Sequence, residues 1–269
     1  IVVSDISEIG MEGIEEWFME GLEKDSWDLV YHGYDPGKEK TRESLLTVGN
    51  GYFGTRGALE ESIADDNHYP ATYMAGLYNR LVSKVAGRDI ENEDFVNVSG
   101  WAHVSFRIDG EGWLDIDNTE ILSMRRRLHI DTGIYCRKLV VRDSKGRETE
   151  IRSRRFASMH DPHLAVLRYS VTPVNYTGHI EIRTELNGTH INDGVARYRS
   201  LNQQHLQAVS QGAEENRQYL EVKTTQSGIH VAMASRIDTM LDLKETKADY
   251  EQFTEEGKAV TVISCEVKE

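Results

Sequence analysis

The sequence predicts an all-β protein: a large antiparallel sandwich of two sheets, with a short helical segment at its N-terminus. Three observations carry this prediction. Ile180, Ile182, Thr184 and Leu186 alternate strictly with His179, Glu181, Arg183 and Glu185, the period of a strand with one buried face. From about residue 98 onward, such stretches recur at roughly 8–12-residue spacing, separated by Gly, Asn and Asp turns. Helix–strand alternation, which a doubly wound parallel sheet would require, is missing.

Taken in order, residues 1–9 (IVVSDISEI) read as a short strand. Residues 11–24 read as a helix, with Met11, Ile14, Phe18 and Leu22 at three- and four-residue spacing and Glu12, Glu15, Glu16, Glu20 and Glu23 on the wet face. The run Asn50–Glu61 (NGYFGTRGALEE) carries Gly51, Gly54 and Gly57, which suit a backbone that turns tightly and approaches something closely. Residues 60–97 show little periodicity and read as a long ordered loop that covers something, the competing reading being that Tyr69, Tyr73 and Tyr78 pack it down on the sandwich. Trp101–Ile108 and Trp113–Ile116 flank Asp109-Gly110-Glu111-Gly112 as a hairpin. A second hairpin joins 135–143 to 148–156 through Ser144-Lys145-Gly146-Arg147, and a third joins 220–224 to 229–234. Strands are also expected at 164–171, entered through an Asp161-Pro162 turn, and at 259–267.

At 269 residues the chain can bury roughly 70–75% of its unfolded surface, so a core forms without disulfides. The net charge of −14 argues against a phosphate-backbone binder and sets nucleic acid aside. No apolar run reaches the ~20 residues a membrane helix needs. The opening residues lack the basic start of a signal peptide and an initiator methionine, so a cytoplasmic chain beginning inside a longer protein is expected. Cys136 and Cys265 sit in apolar strand-like segments and read as free thiols. Arg125-Arg126-Arg127 and Arg152, Arg154 and Arg155 read as a solvated sheet face, and the acidic pairs Glu60-Glu61 and Asp65-Asp66 as solvated loop. His160, Asp161 and His163 lack a further ligand at metal-site spacing, so no metal is expected.

Glu43-Ser44-Leu45-Leu46, then NGYFGTRGALEE, Pro70–Asn79 (PATYMAGLYN), Val96-Asn97-Val98, Trp101 and Arg155-Phe156-Ala157-Ser158-Met159 together resemble the amino-terminal domain of glycoside hydrolase family 65, over roughly residues 25 to 269. That family comprises the maltose, trehalose and kojibiose phosphorylases and related hydrolases. The resemblance implies a galactose mutarotase-like supersandwich over 25–269 that carries no catalytic residue. The general acid and the phosphate-binding groups would lie in an (α/α)6 barrel absent from this chain. The parent would cleave an α-linked disaccharide, in a phosphorylase with inorganic phosphate as co-substrate and with no other cofactor. The sandwich would pack on the barrel, support a homodimer and lend side chains to the sugar rim. That rim would include Asn50, Tyr52, Phe53 and Arg56, with Tyr73, Trp101 and His103 behind them. Aromatic faces and planar donors suit sugar recognition. The competing reading makes Tyr52 and Phe53 core, with Asn50 and Arg56 holding the turn. Residues 1–24 would be a linker or helical lead-in, and Val2-Val3-Ser4-Asp5 is similar to the tail of a β-phosphoglucomutase-like domain placed upstream. Two alternatives stay open: an autonomous carbohydrate-binding module, and an aldose 1-epimerase-like enzyme. The latter needs a histidine acid facing a carboxylate base, drawn from His103, His160, His163, His205 and His230.

Overall fold

A computed structural model describes residues 27–98, 100–192, 201–242, 244–245 and 249–267. The strand expected over 1–9 and the helix over 11–24 lie outside the described residues. The chain is all-β, and every strand pairing is antiparallel. The described residues open with β1 (Asp28–His32), a 3-10 turn (Pro36–Lys38) and the short helix α1 (Glu39–Leu45). The small strands β2 (Val48–Gly49), β3 (Phe53–Thr55) and β4 (Thr72–Met74) form one sheet, and β5 (Tyr78–Val85) with β6 (Arg88–Phe95) a hairpin.

Two larger sheets make the sandwich. One has the order β1-β8-β9-β10-β11, built from β8 (Glu120–His129), β9 (Ile134–Arg142), β10 (Glu148–Ala157) and β11 (Ala165–Pro173). The other has the order β18-β19-β12-β7, from β7 (Gly100–Ile108), β12 (Gly178–Asn187), β18 (Asp249–Glu255) and β19 (Lys258–Val267). Between them lie Phe106, Ile108, Met124, Leu139, Val141, Ile151 and Ile180, all buried. A third sheet, β13 (Leu206–Glu214), β14 (Arg217–Thr224) and β15 (His230–Arg236), closes a second core around Trp101, Leu186, Leu220, Val222, Met233 and Ala259. A last pair, β16 (Met240–Leu241) and β17 (Lys244–Glu245), completes the described strands.

The period-2 pattern explains the inward faces. On β9, Tyr135, Arg137, Leu139 and Val141 are buried, while Cys136, Lys138, Val140 and Arg142 are half-exposed on the other side. The β9–β10 hairpin forms where expected, its turn held by Asp143 Oδ1 accepting from the Lys145 and Arg147 amides and by Gly146 at φ +81°.

Two expectations fail. Trp113–Ile116 is no strand: the Leu114 amide donates once to the Phe106 carbonyl, Ile116 drops into the core, and the Trp113 ring lies against the Arg107 guanidinium at 4.7 Å. Residues 60–97 are not one long loop either. β5 and β6 pair from Tyr78↔Phe95 to Val85↔Arg88. The inward positions Asn79, Leu81 and Ser83 alternate with outward Tyr78, Arg80, Val82 and Lys84, but two of the three buried residues are polar and hide the period. Asn79 is buried because its amide and carbonyl bind His205, Thr225 and the backbone of Gln226 and Ser227.

Candidate functional site

The Asn50–Glu61 run wraps the end of the sandwich, and each residue expected at a sugar rim can be placed. Asn50 is a brace: its Nδ2 donates to the Ser158 carbonyl at 2.7 Å and the Pro162 carbonyl at 3.0 Å, and its Oδ1 accepts from the Tyr52 and Phe53 amides. Those four bonds use its capacity, so its side chain holds the turn to the β10–β11 connection. Phe53 is 5% exposed and belongs to the core with Trp101. The Trp101 indole donates to Thr55 Oγ1 at 2.9 Å. Arg56 spends its fork on the Tyr69 and Lys40 carbonyls and on Ser44 Oγ, with the Tyr69 ring 5.4 Å away. Tyr73 stacks on Phe95 at 4.9 Å. Tyr52 is half-open, 38% exposed, with the His163 ring edge-on at 4.5 Å.

Tyr52, Phe53 and His163 line a shallow cleft with Thr72, Met74, Val98, Val231 and Met233. Its volume is about 60 Å³, room for a few waters. Of the seven expected rim residues it gathers Tyr52 and Phe53. His163, which the sequence placed in a bare turn, joins them because Asp161 Oδ1 accepts from its amide and orients the loop.

His103 lies elsewhere, on β7 directly across from Glu185 of β12. Glu185 is buried, which by itself would raise its carboxyl. His103, Arg183 and Lys258 nonetheless hold it below the usual carboxylate range. Its two oxygens accept from Arg183 at 2.7 Å and Asn187 at 3.0 Å. Nearby His190, its ring against Gly100, is pushed down to about 4 by burial. The histidine and the carboxylate therefore face each other, but the carboxylate is already neutralised and the second imidazole stays uncharged near neutrality. This is a poor base and acid for ring opening. Among the other imidazoles, His205 is buried against Asp94 and Asn79, and His230 is an exposed partner of Glu221.

The expectation of solvated patches holds for Asp65 and Asp66, which are exposed, and is overturned for Glu60-Glu61 and for most of the arginines. Arg126 and Arg155, on the inner face of β8 and β10, are 0% and 1% exposed, and Arg137 is 3% exposed. Arg126 forks onto Glu39 of α1 at 2.5 and 2.8 Å. Arg137 forks onto Glu61 at 2.5 and 2.7 Å and reaches Glu60 at 2.8 Å. Tyr169 Oη donates to Glu61 as well, at 2.6 Å. Burial alone would raise the Glu61 carboxyl, but Arg137 and that hydroxyl hold it lower. Burial pushes the Tyr135 phenol up to about 12. Beside this group, Glu43 accepts from the Tyr69 amide and meets His68 at 2.9 Å, and Tyr34 Oη bridges His68 and Asp117. Burial would lower the His68 imidazole, yet Glu43 keeps it above its ordinary value. Gly57 is needed here: a Cβ would sit 2.3 Å from that of Leu46. The close approach made by the glycine-rich run is to the chain's own helix, through the Gly57 amide and the Glu43 carbonyl.

The fold and this buried pattern define a β-sandwich module whose interior carboxylates are paired with interior arginines. The profile described as glycosyl hydrolase family 65, N-terminal domain, matches residues 29–269, and the chain belongs to that family. It is 40% identical over 226 residues to an uncharacterized glycosyl hydrolase of Mycobacterium tuberculosis, covering 84% of this chain and 17% of that protein. It is 32% identical over 237 residues to the kojibiose phosphorylase of Caldanaerobacter subterraneus, covering 86% of this chain and 29% of that one. A solved structure from the human microbiome, provisionally assigned as a kojibiose phosphorylase, shares the fold at TM-score 0.73 and 19% identity, over 92% of this chain and 31% of its own. The chain thus spans less than a third of the length of these relatives. No helix among the described residues is long and apolar enough to cross a membrane.

Proposed function

We propose that this chain is the non-catalytic N-terminal sandwich of an enzyme that cleaves an α-linked glucose disaccharide, with trehalose, maltose or kojibiose as substrate class. The observation that carries the reading is the family match over 29–269 in a chain that covers under a third of each relative. The interior supports it. The buried carboxylates Glu39, Glu60 and Glu61 are all matched to arginines, which suits a scaffold and leaves none of them to protonate a leaving oxygen.

In this reading the reacting groups lie in an (α/α)6 barrel of the same polypeptide, with inorganic phosphate as co-substrate if the parent is a phosphorylase. The sandwich, residues 25–269, would pack on that barrel, contribute to a homodimer and present Tyr52 at the edge of the sugar site. We place the parent in the cytoplasm, where the two free cysteines would stay reduced. The aligned stretch is a much smaller share of the mycobacterial protein than of the kojibiose phosphorylase, 17% against 29%, so the former is more than half as long again. That extra length supports a further domain in such relatives, and residues 1–24 would be the lead-in from one resembling a β-phosphoglucomutase.

The test is phosphorolysis of trehalose, maltose and kojibiose, read as glucose 1-phosphate. The chain alone is expected to be inactive, and the polypeptide extended through its C-terminal remainder active. Turnover by the chain alone would overturn the reading. Calorimetric sugar binding by the chain alone, lost in Tyr52→Ala, would replace it with an autonomous carbohydrate-binding module.

A further inference from the structure

Two buried histidines, each 1% exposed, sit in hydrogen-bonded chains whose protons can be counted. His205 lies against Asn79 and Asp94. The Asn79 Oδ1 accepts from the Gln226 and Ser227 amides, so its Nδ2 is the donor to His205 Nδ1 at 3.1 Å. That ring nitrogen is bare, and the single proton of a neutral imidazole sits on Nε2, 3.2 Å from Asp94 Oδ2. Burial lowers this imidazole, in keeping with the neutral form.

His68 gives the opposite count. Three bonds run in series: Glu43 Oε1 to His68 Nδ1 at 2.9 Å, His68 Nε2 to Tyr34 Oη at 2.8 Å, and Tyr34 Oη to Asp117 Oδ1. Three bonds need three protons. With both end carboxylates ionised, the phenol supplies one and a neutral imidazole supplies one. The third is an added proton, and the imidazole is the group that takes it, since Tyr34 gives its own hydrogen to Asp117 and both His68 nitrogens must then donate. The surroundings favour that charge. Glu43 comes from α1, Asp117 from the 115–119 turn and Asp65 from the loop that carries His68. Arg56 is turned to the other oxygen of Glu43, at 3.4 Å, and Glu39, which faces Tyr34 from α1, is taken up by Arg126. Burial opposes the imidazolium, and the carboxylates outweigh it. Burial and the bond to Asp117 together keep the Tyr34 proton in place.

We propose that Tyr34, Glu43, His68 and Asp117 form a proton-held latch: an imidazolium ties α1, residues 60–69 and the 115–119 turn together, and its deprotonation lets residues 60–69 open. Without the third proton one of the three bonds is lost and two lone pairs face each other in a buried site. The segment released is the one that holds the Tyr69 amide to Glu43 and brings Glu60 and Glu61 to Arg137.

The test is nitrogen-15 NMR of the full chain with labelled histidine, the ring signals assigned through His68→Gln and His205→Gln. At pH 6, His68 is expected to show two protonated ring nitrogens and His205 only Nε2. Between pH 6 and 9, His68 should lose one proton. Over the same interval the hydrogen-exchange protection factor of the Tyr69 amide should fall about tenfold or more, while that of Leu139 in β9 stays constant. In Tyr34→Phe, which removes the middle acceptor, His68 should lose its proton at lower pH. In His68→Gln the Tyr69 protection should no longer depend on pH. A single protonated nitrogen on His68 at pH 6 would overturn the proton count. Tyr69 protection that does not follow the His68 titration, an equal loss at Leu139, or a His68 still doubly protonated at pH 9 would overturn the latch.

Discussion

The inner face of the five-stranded sheet has two halves that solve the same problem differently. Toward one end, Met124, Leu139, Val141 and Ile151 meet the opposing sheet through hydrocarbon alone. Toward the other, Arg126, Arg137 and Arg155 stand in equivalent inward positions on the same strands, and no apolar sheet faces them. What faces them is α1 and the Glu60-Glu61 corner, which bring carboxylates. Apolar packing is indifferent to partner and tolerates sliding, whereas a bidentate arginine–carboxylate pair accepts one geometry. The ionic half therefore places the segment 39–61 on the sandwich in a single orientation. That placement sets Asn50 against the β10–β11 turn and Tyr52 at the surface.

The largest expected effect comes from orphaning a charge in the ionic half. Arg137→Ala leaves Glu61 buried without a counter-ion and Glu60 with Arg155 alone, at 3.4 Å, and should cost about 3–5 kcal/mol, measured as the shift in urea midpoint. Replacing the pair together, with Arg137→Met and Glu61→Leu while Glu60 stays with Arg155, should recover most of that loss, because a buried ion pair is worth little beyond the hydrocarbon that could replace it. A double variant no more stable than Arg137→Ala would show that the pair has no apolar substitute. In the hydrocarbon half, Leu139→Ala should cost about 2–5 kcal/mol with no change in pH dependence. Gly57→Ala, which drives a methyl into Leu46, should cost about 1–3 kcal/mol and disturb the ionic half through the neighbouring Glu43.

The smallest effect separates the halves by pH. The Glu61 carboxyl titrates below its ordinary value in the fold, so its contribution is present above the unfolded value of about 4.3 and is lost as pH falls through the folded one. His68 is held above its ordinary value, so its contribution is present below about 6.5 and is lost as pH rises through the folded value. Urea midpoints from pH 3 to 9 should sag at both ends. His68→Gln should flatten the alkaline limb and leave the acid one, and a flattened acid limb in that variant would contradict the assignment.

The strands of the second half of the chain were legible because their alternation is set by hydrocarbon. The β9–β10 and β14–β15 hairpins and β12 fall where the pattern puts them. Legibility failed where the buried residue is polar. Asn79 and Ser83 made β5 look like loop, and Arg126 and Arg155 made an interior look like a surface. The candidate rim was ambiguous for a related reason. Asn50 and Arg56 are sugar-binding residue types, and whether their donors point at a ligand or at Ser158, Pro162 and Tyr69 depends on contacts 13 to 112 residues away in the chain.

Local sequence determined the class of fold, the positions of the principal hairpins and the family, since period-two burial and turn chemistry act over a few residues. Tertiary structure decided which charges are interior and which of the rim residues are left to face outward. A buried guanidinium is tolerable only where a distant carboxylate has been brought to it, and no window along the chain contains both.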